Sequence, residues 1–79
     1  MKVLLFARAK TLIGVDRIDI DLAEPATVGE LRRRLVQHYP HLAGLLEKSA
    51  FAVNEEFAND AAQIPRGAEV ALLPPVSGG

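Results

Sequence analysis

Val3, Leu4, Leu5, Phe6 and Ala7 form an unbroken apolar run between Lys2 and Arg8. The run is too short for a stable helix, and both of its alternating phases are apolar, which predicts a central strand over residues 2–8, covered on two sides. Val3, Leu5 and Ala7 take one face of that strand, Leu4 and Phe6 the other. Such a strand needs neighbours and a covering layer, and a chain of 79 residues must supply both from a single domain. A domain of this size buries only about 60% of the surface its unfolded chain exposes, so its core is small. The same run, followed by Ala7-Arg8-Ala9, has the outline of a secretory signal but falls short of the roughly 7–15 apolar residues one needs. No stretch approaches the length of a membrane span. A cytoplasmic protein without a membrane partner is expected.

The neighbours follow along the chain. Residues 9–14 read as a connector with a helical turn that Gly14 ends. Strict alternation over residues 17–22 then predicts a strand with Ile18, Ile20 and Leu22 toward the core and Arg17, Asp19 and Asp21 toward water, a charge pattern suited to a sheet edge. Glu24-Pro25-Ala26 breaks the pattern. Thr27, with Glu30 three residues later, has the form of a capping box, and Val28, Leu31, Leu35 and Tyr39 continue at helical spacing, with Val36 at the margin. Arg32, Arg33, Arg34 and Gln37 fall mainly on the other side, and Glu30 stands four residues before Arg34, the favourable order for an ion pair. Pro40 ends this helix, and a short amphipathic segment follows with Leu42, Leu45 and Leu46 inward. Residues 50–53 form a strand, which Asn54-Glu55-Glu56 turns toward a short one at Phe57 and Ala58. Residues 59–67 form a loop with Ile64 buried and a turn at Pro65-Arg66-Gly67, and residues 69–73 form the last strand. An α+β sheet of about five strands, crossed on one face by one main helix, is the economical packing.

The composition removes several kinds of chemistry. Without cysteine the chain has no disulfide framework, thiolate metal site, cysteine nucleophile or side-chain persulfide. Nine basic against ten acidic residues leave no excess of positive charge for nucleic acid. His38 and His41 are interrupted by Pro40 and lack a third ligand nearby, so no metal is expected. The arginines of residues 32–34, with Glu30 beside them, read as a solvated helix face. Neither Ser49 nor Ser77 has a base in its sequence context, and no phosphate-binding glycine loop precedes a helix. Arg8, Lys10 and Arg66 read as ordinary surface charge, although a cation near the tail could guide an acidic partner.

What remains is the tail. The last strand runs into Pro74-Pro75-Val76-Ser77-Gly78-Gly79. Two prolines fix φ and stiffen the exit, whereas Gly78 and Gly79, lacking a Cβ, can thread a slot too narrow for other residues. A domain at residues 1–75 with a flexible reactive tail at 76–79 is the expected organisation.

This ending, together with the order of elements, Phe6-Ala7-Arg8-Ala9 with Gly14 shortly after, Ala52-Val53-Asn54 and Gly67-Ala68-Glu69-Val70-Ala71, resembles the small subunits of molybdopterin synthase, ubiquitin-like sulfur carriers of the β-grasp fold. The resemblance spans the whole chain. It departs at Ala68, where the family often has an acidic residue, and at Leu72 and Leu73, where aromatic residues are common. It implies chemistry at the carboxylate of Gly79, with Gly78, Ser77, Val76 and Pro75 inserted into a partner. An α-carboxyl has a pKa of about 3.5 and is a poor electrophile as the anion, so it must be activated. The resemblance implies an adenylyltransferase of the ubiquitin-activating type that uses ATP. A persulfide sulfur donor then converts Gly79 to a thiocarboxylate, and a large subunit transfers that sulfur to cyclic pyranopterin monophosphate to build a dithiolene. No cofactor is held stably by the chain itself. If the first and last strands pair, as in the β-grasp fold, Leu4, Phe6, Ala71 and Leu73 share the face away from the helix and form the partner interface. The thiamine-pathway carrier, a ubiquitin-like protein modifier and a plain interaction module are the alternatives.

Overall fold

The computed structural model describes residues 1–75. At its centre is β1, Lys2–Leu5, paired antiparallel with β2, Arg17–Asp19, on one side. On the other side it runs parallel to β7, Val70–Leu73, with Val3 beside Val70 and Leu5 beside Leu72. The antiparallel partner of β7 is β4, Ala50–Val53, and β5, Glu56–Ala58, closes the sheet in the order β2-β1-β7-β4-β5. This is the mixed five-stranded sheet expected, with β2 at an edge. A second sheet was not legible: β3, Ala26–Thr27, pairs with β6, Gln63–Ile64, just before the main helix.

The first strand is shorter than its apolar run. It stops at Leu5 because Ala7 takes φ 50 and turns the chain into α1, Ala7–Ile13, a full helix where a connector with one turn was expected. Gly14 ends α1 at φ 94, with its N–H donating to the Lys10 carbonyl at 2.8 Å. Nor is β1 covered on two sides, since Val3 and Leu5 are fully buried but Leu4 is only half-buried. The β2 ladder is likewise brief, although the Ile20 N–H still reaches the Met1 carbonyl at 2.7 Å and Ile20 itself is buried. Glu69, expected in the last strand, lies just before β7.

The main helix α2, Val28–His38, begins at the expected capping box. Three of the N–H groups that a helix leaves unpaired at its start find partners here. Val28 donates to the Ala62 carbonyl at 3.0 Å, Gly29 to Asp60 at 2.9 Å, and Glu30 to Thr27 Oγ1 at 3.1 Å. The Glu30 carboxylate accepts in return from the Thr27 N–H and hydroxyl at 3.0 and 3.1 Å. These bonds from Thr27, with the charge of Arg33 behind them, hold the Glu30 carboxyl below the ordinary glutamate range. Glu30 is thereby directed to the cap, and no Glu30–Arg34 ion pair forms among the described residues. Val28, Leu31 and Leu35 pack with Val3, Leu5, Phe51, Val70 and Leu72 in one core. Pro40 ends α2 through a 3-10 turn, Pro40–Leu42, and α3, Ala43–Lys48, adds Leu42 and Leu46 to the core, with Leu45 half-buried.

Arg32 departs from the solvated face assigned to it. Its guanidinium donates to the carbonyls of Leu46 at 2.6 Å and Ser49 at 2.7 Å, pairs with Asp60 at 2.8 Å and lies 5.0 Å from the centroid of the Phe51 ring. One side chain thus ties α2 to the end of α3, to the loop before β6 and to the sheet.

Candidate functional site

The tail leaves from the middle of the sheet. Leu73 pairs with Ala50 in β4, and the next residue, Pro74, has no N–H to continue the ladder. Pro74 is half-buried against the body and Pro75 is exposed. The strand that carries them is held on both edges, so the chain departs at a fixed place and direction. Val76, Ser77, Gly78 and Gly79 lie outside the described residues.

The register decides which side chains surround that exit. Leu4 stands beside Arg17 and Ala71, Ala71 beside Ala52, and Ala52 beside Phe57, giving one row across the sheet on the face away from α2. Leu73 and Ala50 follow in the next row. Leu4, Ala71 and Leu73 are half-buried, whereas Val3, Leu5, Val70 and Leu72 on the opposite face are at most 1% exposed. Phe6, just past the end of β1, is 45% exposed. The four residues assigned from the sequence to a contact surface are therefore brought to one side of the sheet and its exit end. Phe57, 79% exposed, was missed and extends the same apolar row to the β5 edge. The signal for it was the two-residue turn, which sets Phe57 opposite Ala52 once Asn54 and Glu55 are recognised as its central pair.

The sequence matches the ThiS family over residues 3–79. The chain belongs to this family. It is 43% identical to the molybdopterin synthase sulfur carrier subunit of Dictyostelium discoideum, across 99% of this chain and 94% of that one. Its likeness to the subunit of the same name from Arabidopsis thaliana is 37% identity across 100% and 82%. Among solved structures, small archaeal modifier protein 1 of Haloferax volcanii superposes with a TM-score of 0.80 at 31% identity, over 100% of this chain and 98% of that one. A chain of the protein-protein complex of subunits 1 and 2 of molybdopterin-converting factor from Helicobacter pylori matches with a TM-score of 0.65 at 28% identity, over 99% of this chain and 96% of that one. The ubiquitin-like β-grasp fold expected from the sequence is the fold observed.

In this ThiS-family chain the three cations read as surface charge are all exposed, and they lie at different ends of the sheet. Because β1 and β7 are parallel, the start of α1 lies at the end of the sheet where the tail departs, and Arg8 and Lys10 are exposed there. Arg66 belongs to the turn before β7, at the opposite end of that strand, and so does not border the exit. Lys48, which closes α3 two residues before Ala50, lies at the exit end and had not been singled out. His38 and His41 are both exposed, and no described group of three His, Asp or Glu side chains is arranged to hold a metal. No helix among the described residues is long and apolar enough to cross a membrane. An open groove of about 400 Å³, lined by Lys2, Leu4, Glu24, Ala68 and Glu69, sits by the start of β7, away from the exit.

Proposed function

We propose that this ThiS-family chain is the sulfur carrier subunit of a molybdopterin synthase and works in the cytoplasm through the carboxylate of Gly79. The observation that carries this reading is that full-length relatives bear that name and that the family match runs through the terminal Gly78-Gly79. Activation begins when a carboxylate oxygen of Gly79 attacks the α-phosphorus of ATP on a separate adenylyltransferase, expelling pyrophosphate. The terminal sulfur of a persulfide donor then attacks the acyl carbon and AMP leaves. A thiol cleaves the resulting sulfur–sulfur bond, is itself oxidised to a disulfide, and leaves the thiocarboxylate. Its sulfur attacks a side-chain carbon of cyclic pyranopterin monophosphate on the large subunit and the oxygen bound to that carbon leaves; water then cleaves the thioester so formed, leaving the sulfur on the pterin and Gly79 as the carboxylate. Two such deliveries make one dithiolene.

This chain's part is presentation. The prolines direct the tail, Val76, Ser77 and Gly78 pass into the large subunit, and the apolar face formed by Leu4, Phe6, Ala71, Leu73 and Phe57 rests on that subunit's surface. Burying aromatic side chains there supplies affinity without engaging the reacting end. The sulfur resides on the main chain, where no cysteine of this chain competes for it.

Intact mass spectrometry of the chain isolated from cells tests the reading: a species with one terminal oxygen replaced by sulfur is expected. Its absence from cells actively making the cofactor would overturn the proposal. The likeness to small archaeal modifier protein 1 favours a second reading, attachment of Gly79 to protein amines. Lysines bearing a Gly79 remnant in the same cells would mark that use.

A further inference from the structure

We propose that Asn54 is the positioning residue of the docking face, holding the β4–β5 hairpin to the lead-in of β7 so that Phe57 stands at a fixed height above the sheet. The inference rests on the docking role assigned above to that face. Asn54 is joined to Glu69 twice. Its N–H donates to the Glu69 carbonyl at 2.7 Å, and its side-chain Oδ1 accepts from the Glu69 N–H at 3.0 Å. The side chain thereby replaces the backbone acceptor that the β4–β7 ladder lacks beyond Val53 and Val70. Asn54 also has φ 51 and Glu55 φ 69, the left-handed pair that a two-residue hairpin needs, and asparagine tolerates that region better than most residues.

Residue type and position are thus both constrained. Glycine would keep the turn but lose the oxygen; alanine would lose the oxygen and strain the turn; aspartate would keep both. The consequence falls on Phe57 because β5 is an edge strand of three residues, paired only with β4 in this sheet. No other described strand pairs with its outer edge. With the Oδ1 bond broken, the hairpin can tilt about Val53 and carry the exposed ring with it.

The first measurement is amide hydrogen exchange in the free chain. Asn54→Gly should speed exchange of the Glu69 N–H by about tenfold, the factor that corresponds to one ordinary hydrogen bond, and Asn54→Asp should restore protection. An unchanged Glu69 rate in Asn54→Gly overturns the latch. The second is titration of the full chain with the large subunit. Asn54→Gly should weaken binding about tenfold, Asn54→Asp should recover it, and the loss should vanish in a Phe57→Ala background while remaining in a Phe6→Ala background. A loss of equal size in both backgrounds would show a general effect on the fold and overturn the positioning role. If the wild-type chain itself does not bind the large subunit, the docking reading fails as well.

Discussion

Gly29 shows how closely two segments meet at the start of α2. A Cβ added there would lie 3.2 Å from the Asp60 carbonyl oxygen and 3.3 Å from the Asp60 Cβ. Alanine has a helix propensity better than glycine by up to about 1 kcal/mol, but crowding a packed site costs typically about 1–3 kcal/mol. The neighbour here is a backbone carbonyl that already accepts the Gly29 N–H, so it cannot withdraw without loosening that bond. Gly29→Ala should therefore lower stability by about 1 kcal/mol in urea unfolding, and a variant as stable as wild type would show that the loop yields. One residue along, Glu30 sets a pH dependence. Its carboxyl is held low in the folded state, so the stability it contributes is present above the unfolded-state pKa and lost as pH falls through the depressed folded value. The urea midpoints of wild type and Glu30→Gln should converge as pH drops below the ordinary glutamate range. A difference that persists unchanged there would mean that the cap acts through shape alone. The Thr27–Glu30 box was legible in the sequence because both partners lie within one turn. The space denied to Gly29 was not, because its neighbour is Asp60.

Among the elements, the same contrast separates what periodicity reveals from what it hides. Val28, Leu31 and Leu35 repeat at helical spacing and lie where that repeat places them. Residues 26–27 and 63–64 make strands too short to have a period, and only their pairing identifies them. The run at residues 2–8 looked like one strand because Ala7, a residue with no marked preference against either structure, is the point where the backbone turns. Arg32, Arg33 and Arg34 are alike in type, yet only Arg32 faces the end of α3, and its partners lie 14–28 residues away. Its fork of donors reaches the Leu46 and Ser49 carbonyls at the end of α3 and the Asp60 carboxylate of the loop before β6 at once. Lysine has a single ammonium that cannot match this planar geometry. Arg32→Lys should cost about 2 kcal/mol by thermal or urea unfolding, since hydrogen bonds to charged groups are worth about 1.5–3 kcal/mol each and lysine keeps a share of them. A melting curve equal to wild type would show that charge alone suffices at this junction.

For the molecule as a whole, the sheet gives the tail a fixed origin, and the proposed chemistry then depends on the distance from that origin to the carboxylate. One alanine added after Gly79 moves the carboxylate by about 3.5 Å, as large as the separation of reacting atoms in a near-attack geometry. Such a chain should fold as wild type but form neither thiocarboxylate nor dithiolene when reconstituted with the adenylyltransferase, a sulfur source, the large subunit and the pterin precursor. Formation of both at the wild-type rate would exclude the terminal carboxylate as the reacting group. The order of strands has a further effect. β7 follows the other six along the chain but stands third of the five in the sheet. The β1–β2 and β4–β5 pairs share no edge until it enters between them. Each pair can form early from near neighbours, but joining Val3 to Val70 closes a loop of nearly the whole chain, a contact of the kind that slows folding. Neither pair is joined to the other until β7 docks between them. The strand that completes the sheet is the one that leads to Gly79, so a chain whose β7 has not docked lacks the fixed origin from which the proposed activation would take its end.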